Sequence, residues 1–370
     1  MTMTGSIARA LRRFVPWLAL ALLAGCDTAG YYMQALRGQA EMWQATRPIE
    51  VVIADPDAPK ALKARLEYAM RVREFASSQL GLPDNSSYRG YADLKRPYVV
   101  WNLFATDAYS VRPRQWCFPI AGCVAYKGYF ARAEAEAAAA ELKRKGDDVF
   151  VGGVPAYSTL GYFNDPVLNT FIHYPQAQLA RLIFHELAHQ VVYAQDDTAF
   201  NESFAVTVER EGVRRWMQAH GSAAELAAFD RSQERRASFY AIVSKYRGRL
   251  DRLYNSGLPA GQMAQKKDEI FAELETEYQA LKQSWGGFKG YDRWLGPNAN
   301  NASLASVAVY THLVPAFQAL LERSGGDLPR FYEEARRLAA MPPTQRQAML
   351  NALRRHAELT AADQQSAASP

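Results

Sequence analysis

Apolar positions recur at mixed spacings of three and four residues through most of the chain. Between 88 and 160 they give way to denser runs of Tyr, Val, Trp and Phe. Leu62, Leu66, Ala69, Met70, Val72 and Phe75 predict a helix over Lys60–Gln79, with Asp57 as a cap and Pro59 near its first turn. Tyr31, Tyr32, Ala35 and Leu36 mark a short helix before it. Tyr88–Asp93, Tyr98–Thr106, Val124–Phe130 and Val149–Val151 read as strands, and Tyr157–Leu160 as a further strand or edge segment. Ala131–Lys145 is rich in Ala and Glu and is predicted to be helical. From Pro175 the pattern is helical almost throughout, over 176–195, 199–219, 222–254, 262–284, 302–323, 328–339 and 343–358. Gly257, Pro259, Gly286, Gly287, Gly296 and Pro297 mark the breaks. The fold class expected is α+β, mostly helical with a small sheet, built as one domain over 26–358 with a flexible tail over 359–370.

The first 25 residues stand apart. Arg9, Arg12 and Arg13 precede an uncharged apolar run, Phe14 to Ala24, of 11 residues. A helix that crosses a bilayer needs about 20, so the run suits the core of a secretory signal instead. It ends Leu23-Ala24-Gly25-Cys26, which resembles the bacterial lipobox. That resemblance implies cleavage before Cys26, acylation of its thiol and amine, and stable membrane anchoring. The expected location is the bacterial cell envelope, with the domain in the periplasm and the inner membrane favoured by Asp27. Cys117 and Cys123 are then an even pair in an exported chain, which predicts a local disulfide.

Composition narrows the partners. Hydrophobic residues make up 49% of 370, and charged residues 22%, enough for a core and unlike a disordered chain. The formal net charge is +5, but without the three leader arginines 40 basic residues face 38 acidic ones. Nucleic-acid binding draws on phosphate neutralisation, and so small an excess argues against it. No obligate protein partner is expected.

The chemistry concentrates in Phe184-His185-Glu186-Leu187-Ala188-His189-Gln190. This is HExxH on a predicted helix. Two histidines four residues apart present both imidazoles on one face and can hold one zinc ion. Glu186 is placed to act as general base toward water. Ala180, Leu182, Ile183, Leu187, Ala188, Val191 and Val192 supply the apolar surface of the same helix, expected to lie under the sheet. A catalytic zinc takes three protein ligands. The metzincin pattern is excluded, because Gln195 stands where it needs His and Val192 where it needs Gly. Glu202 is the first candidate, opening a second helix after Asp196-Asp197-Thr198, and two antiparallel helices would bring it beside the histidines. Glu209, two turns further, is an alternative ligand or an acceptor for a histidine N–H. Asp196 and Asp197 are the remaining alternatives. For the oxyanion, Tyr310 is the first candidate, then His312 and His220. Tyr157 and Ser158 are candidate cleft residues on a strand that could pair with a peptide substrate.

His185 to Gln190, with Phe200-Asn201-Glu202-Ser203-Phe204-Ala205, resembles a bacterial family of predicted zinc aminopeptidases, lipoproteins of gluzincin type. The resemblance extends to Trp116–Cys123, Ala156–Pro166, Asn300-Asn301-Ala302 and Val314-Pro315-Ala316-Phe317. It implies a zincin-like fold and an exported peptidase of aminopeptidase type. A zinc endopeptidase of the envelope, or an envelope scaffold with a vestigial metal site, are the alternatives.

Overall fold

The computed structural model describes residues 30–118, 122–156 and 158–367. Cys26, its leader and Tyr157 lie outside the described residues.

The chain opens with α1 over 30–45, longer than the short helix expected. There follow β1 (Thr46–Pro48), α2 (Ile49–Ala54), α3 (Lys60–Ser78), β2 (Gly90–Ala92), β3 (Val100–Thr106), β4 (Trp116–Phe118), β5 (Gly122–Val124), β6 (Lys127–Tyr129), α4 (Arg132–Arg144), β7 (Asp148–Val154) and β8 (Val167–Leu168). The helical half comprises α5 (Gln176–Ala188), α6 (Thr198–His220), α7 (Ala223–Tyr254), α8 (Ala260–Ser284), α9 (Asp292–Leu295), α10 (Asn301–Thr311), α11 (Val314–Arg323), α12 (Leu328–Ala340) and α13 (Pro343–Ala367). The result is mostly helical, with small sheets, an α+β arrangement.

Among the described residues the strands form three small sheets rather than one, ordered β1-β2-β8, β6-β3-β7 and β4-β5. Successive side chains of a strand face opposite ways, and β3 is buried along its whole length. Trp101 and Leu103 pack with Ala135 and Ala139 of α4, while α10 packs on β3 and β7 as well. The sheet expected over the HExxH helix is divided: α4 and α10 pack on the β6-β3-β7 sheet, while α5 packs chiefly on α6 and α3 and shares the main core with Ala92, Val167 and Leu168 of the β1-β2-β8 sheet. Cys117 and Cys123 are joined across the β4–β5 hairpin.

Two other departures have local causes. The helix expected over 176–195 stops at Ala188. The Asn201 side chain takes both backbone groups of Ala194, accepting from its N–H at 2.7 Å and donating to its carbonyl at 2.8 Å. Asp196 then turns the chain at φ +63°, a conformation that continues no helix. The helix expected over 302–323 breaks at Leu313, whose N–H donates to Ser203 Oγ, and Pro315 then starts α11. Proline has no N–H to give to the preceding turn. By length and composition the Asn301–Arg323 segment would also suit a bilayer, and 67% of its apolar 18-residue window is buried inside the fold.

The cap expected from Asp57 is corrected: Pro59 stands at the N-cap of α3, with no side-chain cap bond. Elsewhere Asp197 accepts from Phe200 N, Ser222 and Glu225 form a reciprocal box, Asn300 pairs with Ser303, and Asp327 accepts from Arg330 N. The main core joins α3, α5, α6, α11 and α12 through residues such as Leu66, Phe184, Phe204, Phe317 and Phe331.

Candidate metal centre

His185 lies in the last turn of α5 and His189 caps its end, still in helical conformation. Their rings therefore face the same way, with centroids 4.9 Å apart. Glu202 stands in the first turns of α6, delivered by the short connection that Asn201 clamps. Its Oε2 is 3.3 Å from His185 Nε2 and 3.8 Å from His189 Nε2. Bonds of about 2.1 Å to a tetrahedral ion imply ligand atoms roughly 3.4 Å apart, so the spacing and the N, N, O donor set fit zinc. The three residues are buried, and their ligand atoms all lie within 4.8 Å of one another. Asp197 is occupied as the cap of α6, and Asp196 accepts from Cys123 N. The disulfide hairpin thus rests on the turn that leads to Glu202.

Glu209 sits behind the cluster. It is fully buried, and its Oε2 is 2.9 Å from His185 Nδ1, with Arg181 at 3.1 Å and Arg236 at 2.9 Å from its oxygens. Burial alone would raise its pKa, but the two guanidinium charges and the His185 bond prevail and hold it ionised. A carboxylate on the outer nitrogen fixes a ligand histidine in orientation and tautomer. His189 Nδ1 is buried without such a partner. Burial would likewise lower His185, but Glu202 and Glu209 on its two sides push its pKa up to about 10. Burial dominates at His189, which falls to about 4 and stays neutral. Glu209→Gln is expected to weaken zinc affinity about 10–100-fold, by titration against a competing chelator. It should also cost about 3–5 kcal/mol in urea unfolding, because two largely buried arginines lose their counter-charge.

Glu186, one residue after His185, keeps partial contact with solvent. Burial raises its pKa, His185 opposes this, and Glu202 and Asp165 add to it, leaving it at about 7. A base near neutral is poised for proton transfer. Tyr310, half-buried on α10, is brought to the same place: burial first, then the charges of Glu202 and Glu186, push its hydroxyl well above its ordinary pKa. His220 instead stacks on Trp216 at 4.0 Å, and His312 lies beside Arg247 and Arg354.

Ser158 is not on a strand, and the edge segment expected there is corrected to a looped turn. Leu160 has φ +56°, and Thr159 N donates to Asp165 Oδ2 at 2.9 Å. Ser158 also bonds to the Asp165 carboxylate.

Asp165, Tyr88, Arg181 and Arg236 are site neighbours that the sequence did not single out. Arg181, four residues before His185 on one helix face, was the legible one. Burial, against the bonds from Thr159 and Ser158, raises the Asp165 pKa to about 6. The folded state then binds this proton more tightly than the unfolded chain. Stability from this group is fully present below about pH 4 and lost as pH rises through about 6, on the order of 3 kcal/mol. Asp165→Asn should flatten the fall in urea-unfolding free energy between those pH values, and an unchanged slope would contradict the assignment.

A family model described as "Putative aminopeptidase" matches residues 30–350. The chain belongs to this family. The match covers most of the chain and contains the whole His185, His189, Glu202 cluster, which is able to hold a metal ion. No curated protein and no solved structure matches the chain.

Proposed function

We propose that this family member is a zinc-dependent peptidase, an aminopeptidase of zincin-like, gluzincin type. One observation carries the reading: two imidazoles and a carboxylate converge in a buried cluster, with Glu209 on the outer nitrogen of His185. His185, His189 and Glu202 hold one ion. When bound there, zinc supplies Lewis acidity and acidifies water near neutral pH. Glu186 takes the proton from the attacking water and passes it to the leaving amine. Tyr310 donates from its hydroxyl to the oxyanion of the tetrahedral intermediate. Its high pKa keeps that proton available at neutral pH. Ser158 and Tyr157 belong to the rim on which the peptide lies. The chain is exported, and the thiol and amine of Cys26 carry lipid that anchors one domain over 26–358 to the envelope membrane from the periplasmic side.

The test pairs metal analysis with substrate choice. The full chain should hold about one zinc per chain and cleave dipeptides with a free amino terminus, losing at least about tenfold in rate when that terminus is acetylated. Equal cleavage of blocked peptides would make it an endopeptidase. No zinc after refilling, and no cleavage, would leave an envelope scaffold.

A further inference from the structure

The helix that begins four residues after Cys26 carries an apolar stripe that the fold leaves outside. Tyr32, Met33, Leu36 and Trp43 of α1 are all exposed, Leu36 at 65%. They fall within roughly 100° of one another around the helix. The opposite side of α1 is committed: Met42 is buried, Gly38 lies against the Phe130 ring, and Gln34 accepts from Phe130 N at 2.9 Å. The stripe therefore cannot rotate inward.

It is also continuous with a second element. The Trp43 ring meets Phe163 edge to face at 4.7 Å, and beside Phe163 stands Tyr162, 68% exposed. The loop that presents both is held by bonds between Thr159 Oγ1 and the backbone of Phe163, and by positive φ at Leu160 and Gly161. Monomeric surfaces rarely keep a joined group of large apolar side chains exposed without use.

We propose that this face docks onto the surface of a phospholipid bilayer. The proposal rests on the lipid-anchor reading of Cys26. Four residues span at most roughly 14 Å, so an acyl chain on Cys26 holds the start of α1 at the headgroup layer. Trp and Tyr favour that layer, where an apolar ring body and a polar tip are both satisfied. An amphipathic helix lies in it with its apolar side down. Arg37, exposed on the flank of the stripe, faces anionic headgroups. The docked loop also carries Ser158 and Asp165, and Asp165 neighbours Glu186. Docking thus sets the rim of the metal site toward the bilayer, where peptides at the membrane surface reach it first.

The test uses the full chain, processed in a bacterial host and reconstituted in vesicles of phosphatidylethanolamine and phosphatidylglycerol, with and without brominated acyl chains. Tryptophan quenching by bromine is expected in the parent, and Trp43→Phe should lose more than about half of it while vesicle flotation is unchanged. Leu36→Glu combined with Tyr162→Glu should lower quenching at least about twofold at an unaltered melting temperature. Quenching indifferent to Trp43→Phe, in protein that floats, overturns the docking face and leaves the anchor standing. Protein that neither floats nor is quenched overturns both. A dimer in detergent that shields Trp43 assigns the stripe to a second copy, and also overturns the proposal. Dipeptide cleavage by the same samples reads the peptidase assignment separately.

Discussion

Glu186→Gln is expected to lower kcat by about 10²–10⁴-fold, with bound zinc and KM little changed. That corresponds to about 3–5 kcal/mol of transition-state stabilisation. Glutamine keeps the shape and the hydrogen-bonding reach of the side chain but cannot accept the proton. Glu186 is not among the three converging ligand residues, so metal content should hold, and the near-equal size of glutamine should hold the fold. The combination is diagnostic. A fall in zinc together with rate would mean that Glu186 supports the cluster structurally. A loss of affinity for substrate with kcat preserved would make it a binding group. An unchanged rate would remove the general-base role and with it the proposed mechanism.

Glu202→Ala should have the second large effect: bound zinc falls from about one per chain to a small fraction, and cleavage disappears with it. Three protein ligands become two, and His185 loses the carboxylate 3.3 Å from its Nε2. Because Glu202 and both histidines are buried together, no surface carboxylate can take its place without moving α6. Glu209 is held by Arg181, Arg236 and His185 Nδ1, so it is not free to swing forward. The measurement is metal content by elemental analysis beside the melting temperature. Zinc retained in full would transfer the third ligand to another group. Loss of Glu202 also removes a charge that raises the Tyr310 pKa, so the double change Glu202→Ala with Tyr310→Phe should be no worse than the first alone.

Much of this site was legible before any fold. HExxH is a local device: a helix repeat of 3.6 residues brings positions four apart to one face, whatever surrounds them. The same locality made most helices after 197 readable, because their apolar periods and turn residues lie within a few positions of one another. Glu202 was also within reach, since only one short turn separates it from His189. The edge strand expected over 158–160 was misread because Thr favours strands, whereas the turn is held by Asp165, six or seven residues beyond the groups that it binds. The end of α5 was misread for a similar reason: Val191, Val192 and Tyr193 continue the apolar pattern, whereas the bonds from Asn201 to Ala194 and the turn at Asp196 lie outside it.

What the sequence by itself determined is the histidine pair on one helix face, the glutamate beside it, the helical character of the second half and the family resemblance. Only the tertiary structure decided which charges surround that pair. Arg236 reaches Glu209 from α7, and Tyr310 arrives on a helix more than a hundred positions beyond His189, carried there by the packing of α10 on α6. It also decided that α4 and α10 take the β6-β3-β7 sheet, that α5 packs chiefly on α6, and that one stripe of α1 stays outside. Periodicity says that a helix has an apolar side. It does not say what that side meets, because the partner is chosen by burial summed over distant segments of the chain.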